Sequence, residues 1–142
     1  MKQPTLIITG SGSYVPEHIV KNEAFLQHTF YDANGALIDN PPQDIIEKFK
    51  AITGIEARCY ATDDLVNSDL GTIAAQRAID DAGINPEKLD YIIVAHNFGD
   101  VPAGTTQSDM VPSIAARIKQ KLGIENPGCV AYDVVYGCPG WV

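Results

Sequence analysis

The chain has 142 residues, 45% of them hydrophobic and 20% charged, which is enough for one domain with its own core. Its formal net charge of −8 is spread along the chain, which argues against nonspecific binding to nucleic acid or to an anionic membrane surface. No apolar run has the length of a membrane span, no signal peptide follows Met1, and the three cysteines (Cys59, Cys129, Cys138) show no short metal-ligand spacing; the expectation is a reduced, cytoplasmic protein without a metal site.

In chain order, Thr5 to Thr9 is a short β-branched run that predicts a buried strand, ended by Gly10-Ser11-Gly12-Ser13 and closed by Pro16. Asn22 then stands as the cap of a short helix through Leu26, and residues 29 to 42, with their Asn-Gly and Pro-Pro pairs, read as a loop. Ile45, Ile46, Phe49 and Ile52 recur at helical spacing, and Gly54 supplies the stop. Ile55 to Ala61 follows as an edge strand. Ser68 to Ala82 is the strongest helix, capped by Ser68, with Leu70, Ile73, Ala74, Ala78, Ile79 and Ala82 on one face and Gly83 behind it.

Leu89 to His96 is a near-continuous apolar strand, a pattern expected where a strand is buried on both faces. A polar loop over residues 97 to 111 leads to a helix from Pro112 to Leu122, ended by Gly123. Val130 to Tyr136 is the last strand. Strands alternating with helices predict right-handed crossovers and a parallel or mixed sheet. The expected domain organisation is a single α/β layer over residues 1–142, without repeats or low-complexity segments.

The final strand runs into Gly137-Cys138-Pro139-Gly140, a sequence suited to a sharp corner between a strand and a helix. A thiol at a helix N-terminus meets positive potential that favours its nucleophilic thiolate. Cys138 is therefore the candidate nucleophile, weighed against the reading of a small residue packed at a strand end. Cys59 and Cys129 are assigned to packing. Gly10-Ser11-Gly12 lacks the third glycine, the immediate helix and the later acidic partner of a dinucleotide fingerprint, so no nucleotide cofactor is assigned. His18, His28 and His96 are the candidate bases for Cys138, and His96 is the best placed, at the C-terminal end of a predicted parallel strand where sites gather; a structural or solvated role is still preferred for them. Asp133 is expected to hydrogen-bond backbone near the corner, with Arg58 as a possible partner.

These pieces, in this order, resemble the N-terminal half of 3-oxoacyl-(acyl-carrier-protein) synthases of type III, in the thiolase superfamily. The likeness rests on Ile8-Thr9-Gly10-Ser11-Gly12-Ser13-Tyr14-Val15-Pro16-Glu17, on Thr53-Gly54-Ile55 with Arg58, and on Ala74-Ala75, Ala78 and Asp81-Ala82-Gly83-Ile84. It continues through Leu89-Asp90-Tyr91-Ile92-Ile93-Val94-Ala95, Pro112-Ser113, Leu122-Gly123-Ile124 and Asp133-Val134 to Cys138-Pro139-Gly140. The resemblance implies a thiolase-like α/β fold, one βαβαβ-type half with a mixed, mostly parallel sheet covered by helices, in a homodimer.

It also implies a decarboxylating Claisen condensation. Cys138 takes an acyl group from an acyl-CoA or acyl-ACP donor, and malonyl-ACP, presented on acyl carrier protein, condenses with it in fatty-acid or related secondary-product synthesis. The family's His and Asn, which stabilise enolate and oxyanion charge, are expected beyond Val142. The chain thus reads as the front part of a longer enzyme, inactive alone. Two positions depart from the pattern of coenzyme A users: Lys48 and Ile52 replace a Trp and an Arg that flank the adenine. The loop over residues 97 to 111 is longer than in initiating enzymes, which points to a changed acyl substrate. The alternatives are a non-catalytic dimerising or carrier-binding module, and an acyltransferase that uses the same cysteine without decarboxylation.

Overall fold

The computed structural model describes residues 6–136 and 140, which divide into two compact units: Pro16–Thr62, and the described residues on either side of it.

In the Pro16–Thr62 unit, strands β1 (His18–Lys21) and β2 (Ala57–Tyr60) pair antiparallel, with His18 opposite Tyr60 and Lys21 opposite Ala57. The edge strand expected between Ile55 and Ala61 is β2. Its partner β1 was not foreseen, because a four-residue strand with polar ends and an exposed Ile19 leaves no periodic signal. A 3-10 helix (Asn22–Gln27) follows β1. Asn22 opens it but does not cap it. Its side chain is buried and turned away, with Nδ2 donating to the Ile55 carbonyl (2.7 Å) and Oδ1 accepting from Arg58 (3.0 Å). Helix α1 (Pro42–Thr53) starts on the proline permitted in a first turn and ends at Gly54, whose φ of 69° is left-handed. Ile45 and Ile46 of its predicted apolar face are buried, whereas Phe49 and Ile52 stay exposed. Cys59 is also exposed, against the expectation of packing, because this ribbon turns Arg58 rather than Cys59 inward.

The other unit is built on β3 (Tyr91–Ala95) and β4 (Val130–Val134), which pair in parallel from Tyr91 opposite Val130 to Ala95 opposite Val134. Helix α3 (Ile114–Lys121) lies in the connection between them, giving the expected βαβ unit, and α2 (Asn67–Ala82) packs on α3. That packing needs Gly71, since a Cβ there would stand 2.6 Å from Ile118 Cδ1. Ile114, Ala115, Ile118, Ile124 and Cys129 form the buried core, so Cys129 packs as expected. Burial of these apolar side chains, with each isoleucine contributing about 1.5–3 kcal/mol and Ala115 and Cys129 less, is what orders the unit.

Three expectations give way here. β3 is not buried on both faces: Ile92 and Val94 turn towards the helices, while Tyr91 and Ile93 stay 62% and 55% exposed, with Val130 and Tyr132 beside them. Among the described residues, helices cover one face only. Leu6 to Thr9 is not a strand, and Leu6, Ile7 and Ile8 are exposed. The segment is held just beyond, where Ser11 N–H donates to Asp81 (2.9 Å) and Arg77 donates to the Ser13 carbonyl (2.7 Å). Gly10 and Gly12 lie flat on α2: a Cβ on Gly12 would stand 2.4 Å from the Ala74 carbonyl oxygen. Finally, Ser68 is not a cap. Val66 precedes the helix, and Asp69 accepts its N–H (3.0 Å), leaving Ser68 buried in the first turn. At α3 the capping side chain is Ser113, accepting from Ala116 N–H (3.1 Å), and Pro112 stands one residue earlier, after a cis peptide.

Candidate active site

Cys138 lies outside the described residues. Its described neighbours in sequence stand at the C-terminal end of the parallel pair. Tyr136 continues from β4, and Gly140 sits back against the strand ends: a Cβ on it would be 3.4 Å from the Val134 carbonyl oxygen and 3.6 Å from Ala95 Cβ. The C-terminal ends of parallel strands are where open α/β folds collect ligands, because the helix N-termini point there.

At that end a buried carboxylate organises three elements. Asp133 of β4 accepts N–H bonds from Ile114 (2.7 Å to Oδ2) and Ala115 (2.8 Å to Oδ1), the first two residues of α3, which satisfies amides that have no partner inside the helix. Oδ2 also meets His96 Nε2 at 2.8 Å. The His96 and Asp133 side chains are 4% and 10% exposed. His96 Nδ1 accepts the Gly99 N–H (2.9 Å), so the proton of the neutral ring belongs on Nε2, where it is donated to Asp133. Burial alone would raise the Asp133 carboxyl, but the Ala115 amide, the His96 ring and the Ile114 amide outweigh it and hold the group below the ordinary carboxylate range.

The sequence foresaw the backbone bonds of Asp133 but not this partner. Arg58, suggested for it, instead bonds Asn22 and lies over the Phe25 ring at 5.5 Å. His96, with both ring nitrogens engaged, takes the structural role preferred for it.

A second buried carboxylate was not anticipated at all. Asp100, 4% exposed, accepts from Ser68 N–H (2.7 Å), from the Ser68 hydroxyl (2.8 Å) and from Arg117 Nη1 (3.0 Å). Arg117 continues to Asp109 (2.8 Å), and Asp100 and Asp109 exchange backbone bonds of 2.9 and 2.8 Å. The guanidinium bond and the Val111 amide hold Asp109 below the ordinary range. The base of the loop over residues 97 to 111 is therefore pinned to both α2 and α3. Lys121 donates to Ser68 Oγ (3.0 Å) and pairs with Asp69. A serine between a carboxylate and a lysine has the composition of a nucleophilic relay, but Ser68 is fully buried, so the cluster is structural.

In the Pro16–Thr62 unit, Phe25, Phe30, Phe49 and Tyr60 line a groove together with Arg58 and Asn22. The phenyl rings of Phe30 and Phe49 meet edge to face at 6.0 Å. Lys48 and Ile52 lie exposed on α1, beside the groove wall formed by Phe49. His18 is exposed and forms a T-shaped pair with Tyr60, and His28 is exposed beside Phe25. Among the described residues no group of three or more His, Cys, Asp or Glu side chains is arranged to hold a metal, and no helix is long and apolar enough to cross a membrane.

No protein-family model matches the chain. Solved structures do. The chain is similar to 3-oxoacyl-[acyl-carrier-protein] synthase III from Aquifex aeolicus, with 26% identity and a TM-score of 0.67 over 94% of this chain and 35% of that one. It is similar to β-ketoacyl-[acyl carrier protein] synthase III from Thermus thermophilus, with 27% identity and a TM-score of 0.63 over 94% and 34%. The priming β-ketosynthase of the R1128 polyketide biosynthetic pathway matches with 26% identity and a TM-score of 0.63 over 89% and 31%. The chain thus spans about a third of the length of these relatives, and over nearly all of its own length it has the thiolase-type α/β structure of 3-oxoacyl-[acyl-carrier-protein] synthase III and related condensing enzymes.

Proposed function

We propose that residues 1–142 are the N-terminal thiolase-like part of a decarboxylating Claisen condensing enzyme, in which β3 and β4 belong to one mixed, mostly parallel sheet and Cys138 is the nucleophile. The observation that carries this reading is the meeting of Ala95, Val134 and Gly140 at the C-terminal end of the parallel pair, two residues past Cys138, in a fold shared with 3-oxoacyl-[acyl-carrier-protein] synthases. The Cys138 thiolate attacks the carbonyl of an acyl thioester; a new C–S bond forms, the donor C–S bond breaks, and the donor leaves as a thiolate that takes a proton from solvent water. A malonyl thioester on acyl carrier protein then loses carbon dioxide. The electron pair left on its α-carbon attacks the acyl carbon, forming the C–C bond and returning Cys138 as thiolate. A His and an Asn beyond Val142 would stabilise the enolate and oxyanion, and the enzyme would act as a cytoplasmic homodimer.

The donor is an acyl thioester that does not depend on stacking of adenine at α1, since Lys48 and Ile52 there supply neither an aromatic face nor a guanidinium. The test is the intact mass of the complete gene product after exposure to a panel of acyl-CoA and acyl-carrier thioesters, with Cys138→Ala alongside. A mass gain from one donor, absent in the variant, is the expected result. No gain from any donor in a folded protein overturns the reading in favour of a non-catalytic carrier-binding module.

A further inference from the structure

We propose that the aromatic groove of the Pro16–Thr62 unit is a binding site for a small aromatic carboxylate, held by the Arg58 guanidinium. The proposal is independent of the role proposed for Cys138, and every residue it uses belongs to one unit. The groove has a volume of about 240 Å³, with the rings of Phe25, Phe30, Phe49 and Tyr60 and the buried Ile46 in its walls. Among the described residues that line it, Arg58 is the one charged side chain. In a chain whose formal net charge is −8, an apolar groove with a single, positive charge selects for an anion. Lys48 and Ile52, the positions compared with residues that flank adenine, line no part of it.

Arg58 is held in place before a ligand arrives. Its Nη1 donates to Asn22 Oδ1 (3.0 Å), and its guanidinium carbon lies 5.5 Å from the centre of the Phe25 ring. Asn22 is fixed in turn, through Nδ2 by the Ile55 carbonyl and through its backbone N–H by the Glu56 carbonyl (3.1 Å). Arg117 meets two carboxylates, whereas Arg58 makes no ion pair and no further hydrogen bond among the described residues. A half-buried guanidinium with donors left over matches a carboxylate, which can take two of them side by side. The body of the ligand follows from the walls. Phe30 and Phe49 already meet edge to face at 6.0 Å, a geometry that a further ring can adopt against them. A flat ring also loses less freedom on binding than a flexible chain does. The volume admits one ring with a short acidic arm, since a cavity of about 150 Å³ holds benzene.

The test uses the complete gene product and trans-cinnamate as the probe, with cinnamamide as its uncharged isostere and octanoate as a flexible carboxylate. Dissociation constants come from ligand-observed NMR titration, and thermal melting without ligand checks that each variant folds. The expected result for cinnamate is a dissociation constant on the order of 0.1–1 mM, with octanoate about threefold weaker or more. Cinnamamide should bind about tenfold more weakly, because it leaves the guanidinium without an anion. Arg58→Gln, which keeps a donor for Asn22 and removes the charge, should weaken cinnamate by about tenfold, and Phe30→Leu by about threefold. Lys48→Ala should bind as wild type does. Equal affinities for cinnamate and cinnamamide overturn the proposal, as does wild-type affinity in a folded Arg58→Gln. Tighter binding of octanoate than of cinnamate overturns the aromatic class, and a loss in Lys48→Ala equal to that in Arg58→Gln overturns the location. No saturable binding by wild type also overturns it and means that another part of the protein fills the groove. If Arg58→Gln does not fold, the comparison of cinnamate with cinnamamide on wild type decides. None of these probes is a thioester, so failure of Cys138 acylation leaves every reading intact.

Discussion

In the unit built on β3 and β4, strands and helices are tied by buried carboxylates: Asp133 gathers His96 and the first amides of α3, and Asp100 gathers Ser68 and Arg117. In the Pro16–Thr62 unit, β2 and the turn after β1 are tied by a neutral amide, Asn22, shared between the Ile55 carbonyl and Arg58, and both side chains line an aromatic groove. The difference follows from what each unit offers a polar group. Parallel strands joined through a helix bring helix N-termini to the strand ends, and unpaired amides there stabilise a negative charge. A short antiparallel ribbon presents carbonyls and one guanidinium, which an amide side chain can join without a buried charge. The Asp133 brace depends on its carboxylate staying ionised, whereas the Asn22 amide carries no titrating group.

The comparison is attacked most strongly at Asp100. Asp100→Ala leaves the Ser68 hydroxyl and N–H without an acceptor and removes a partner from Arg117, and is expected to destabilise by about 3–5 kcal/mol in urea denaturation. Gly12→Ala drives a Cβ into the backbone of α2 and is expected to cost about 1–3 kcal/mol in the same measurement. Asn22→Ala removes both bonds of the amide brace. Its expected cost is about 1–2 kcal/mol, and hydrogen exchange should show the increase in opening confined to residues 16–62.

Acid should separate the units further. The folded-state pKa of Asp133 lies below its unfolded value, so its contribution is present above the unfolded value and is lost as pH falls through the folded one. Hydrogen exchange followed from about pH 7 to about pH 3 should therefore show β4 and α3 loosening in wild type, with a shallower pH dependence in Asp133→Asn. The smallest effect is expected at Lys50 and Glu56, an exposed ion pair at 2.7 Å, where Glu56→Gln should leave the melting temperature unchanged.

Much of this architecture was legible in the sequence because it rests on local signals. Helices α1 and α2 were marked by apolar spacing and by Gly54 and Gly83, and both adopt left-handed φ at the predicted stops. β4 and the backbone-bonding role of Asp133 were legible for the same reason. What escaped were contacts made at a distance. The Ser68–Asp100 bonds join residues 32 apart, and nothing near either position announces the other. β1 escaped because pairing partners define it more than its own four residues do, and the exposed face of β3 because a continuous apolar run does not say which side is covered. The thiolase-like resemblance, read from motifs in order, corresponds to the solved structures; the role of Cys138 as nucleophile is a proposal, made from the sequence and from its described neighbours.

The contact between Gly12 and α2 also carries a genetic consequence. The atoms that a side chain at position 12 would strike are the Ala74 carbonyl oxygen, the Ala78 nitrogen and the Arg77 carbonyl carbon, all backbone. Trimming a neighbour cannot make room, because there is no side chain to trim. A selection for second-site suppressors of a Gly12 substitution should therefore return no small-residue replacements in α2 at positions 74, 77 or 78, and mainly reversions at codon 12.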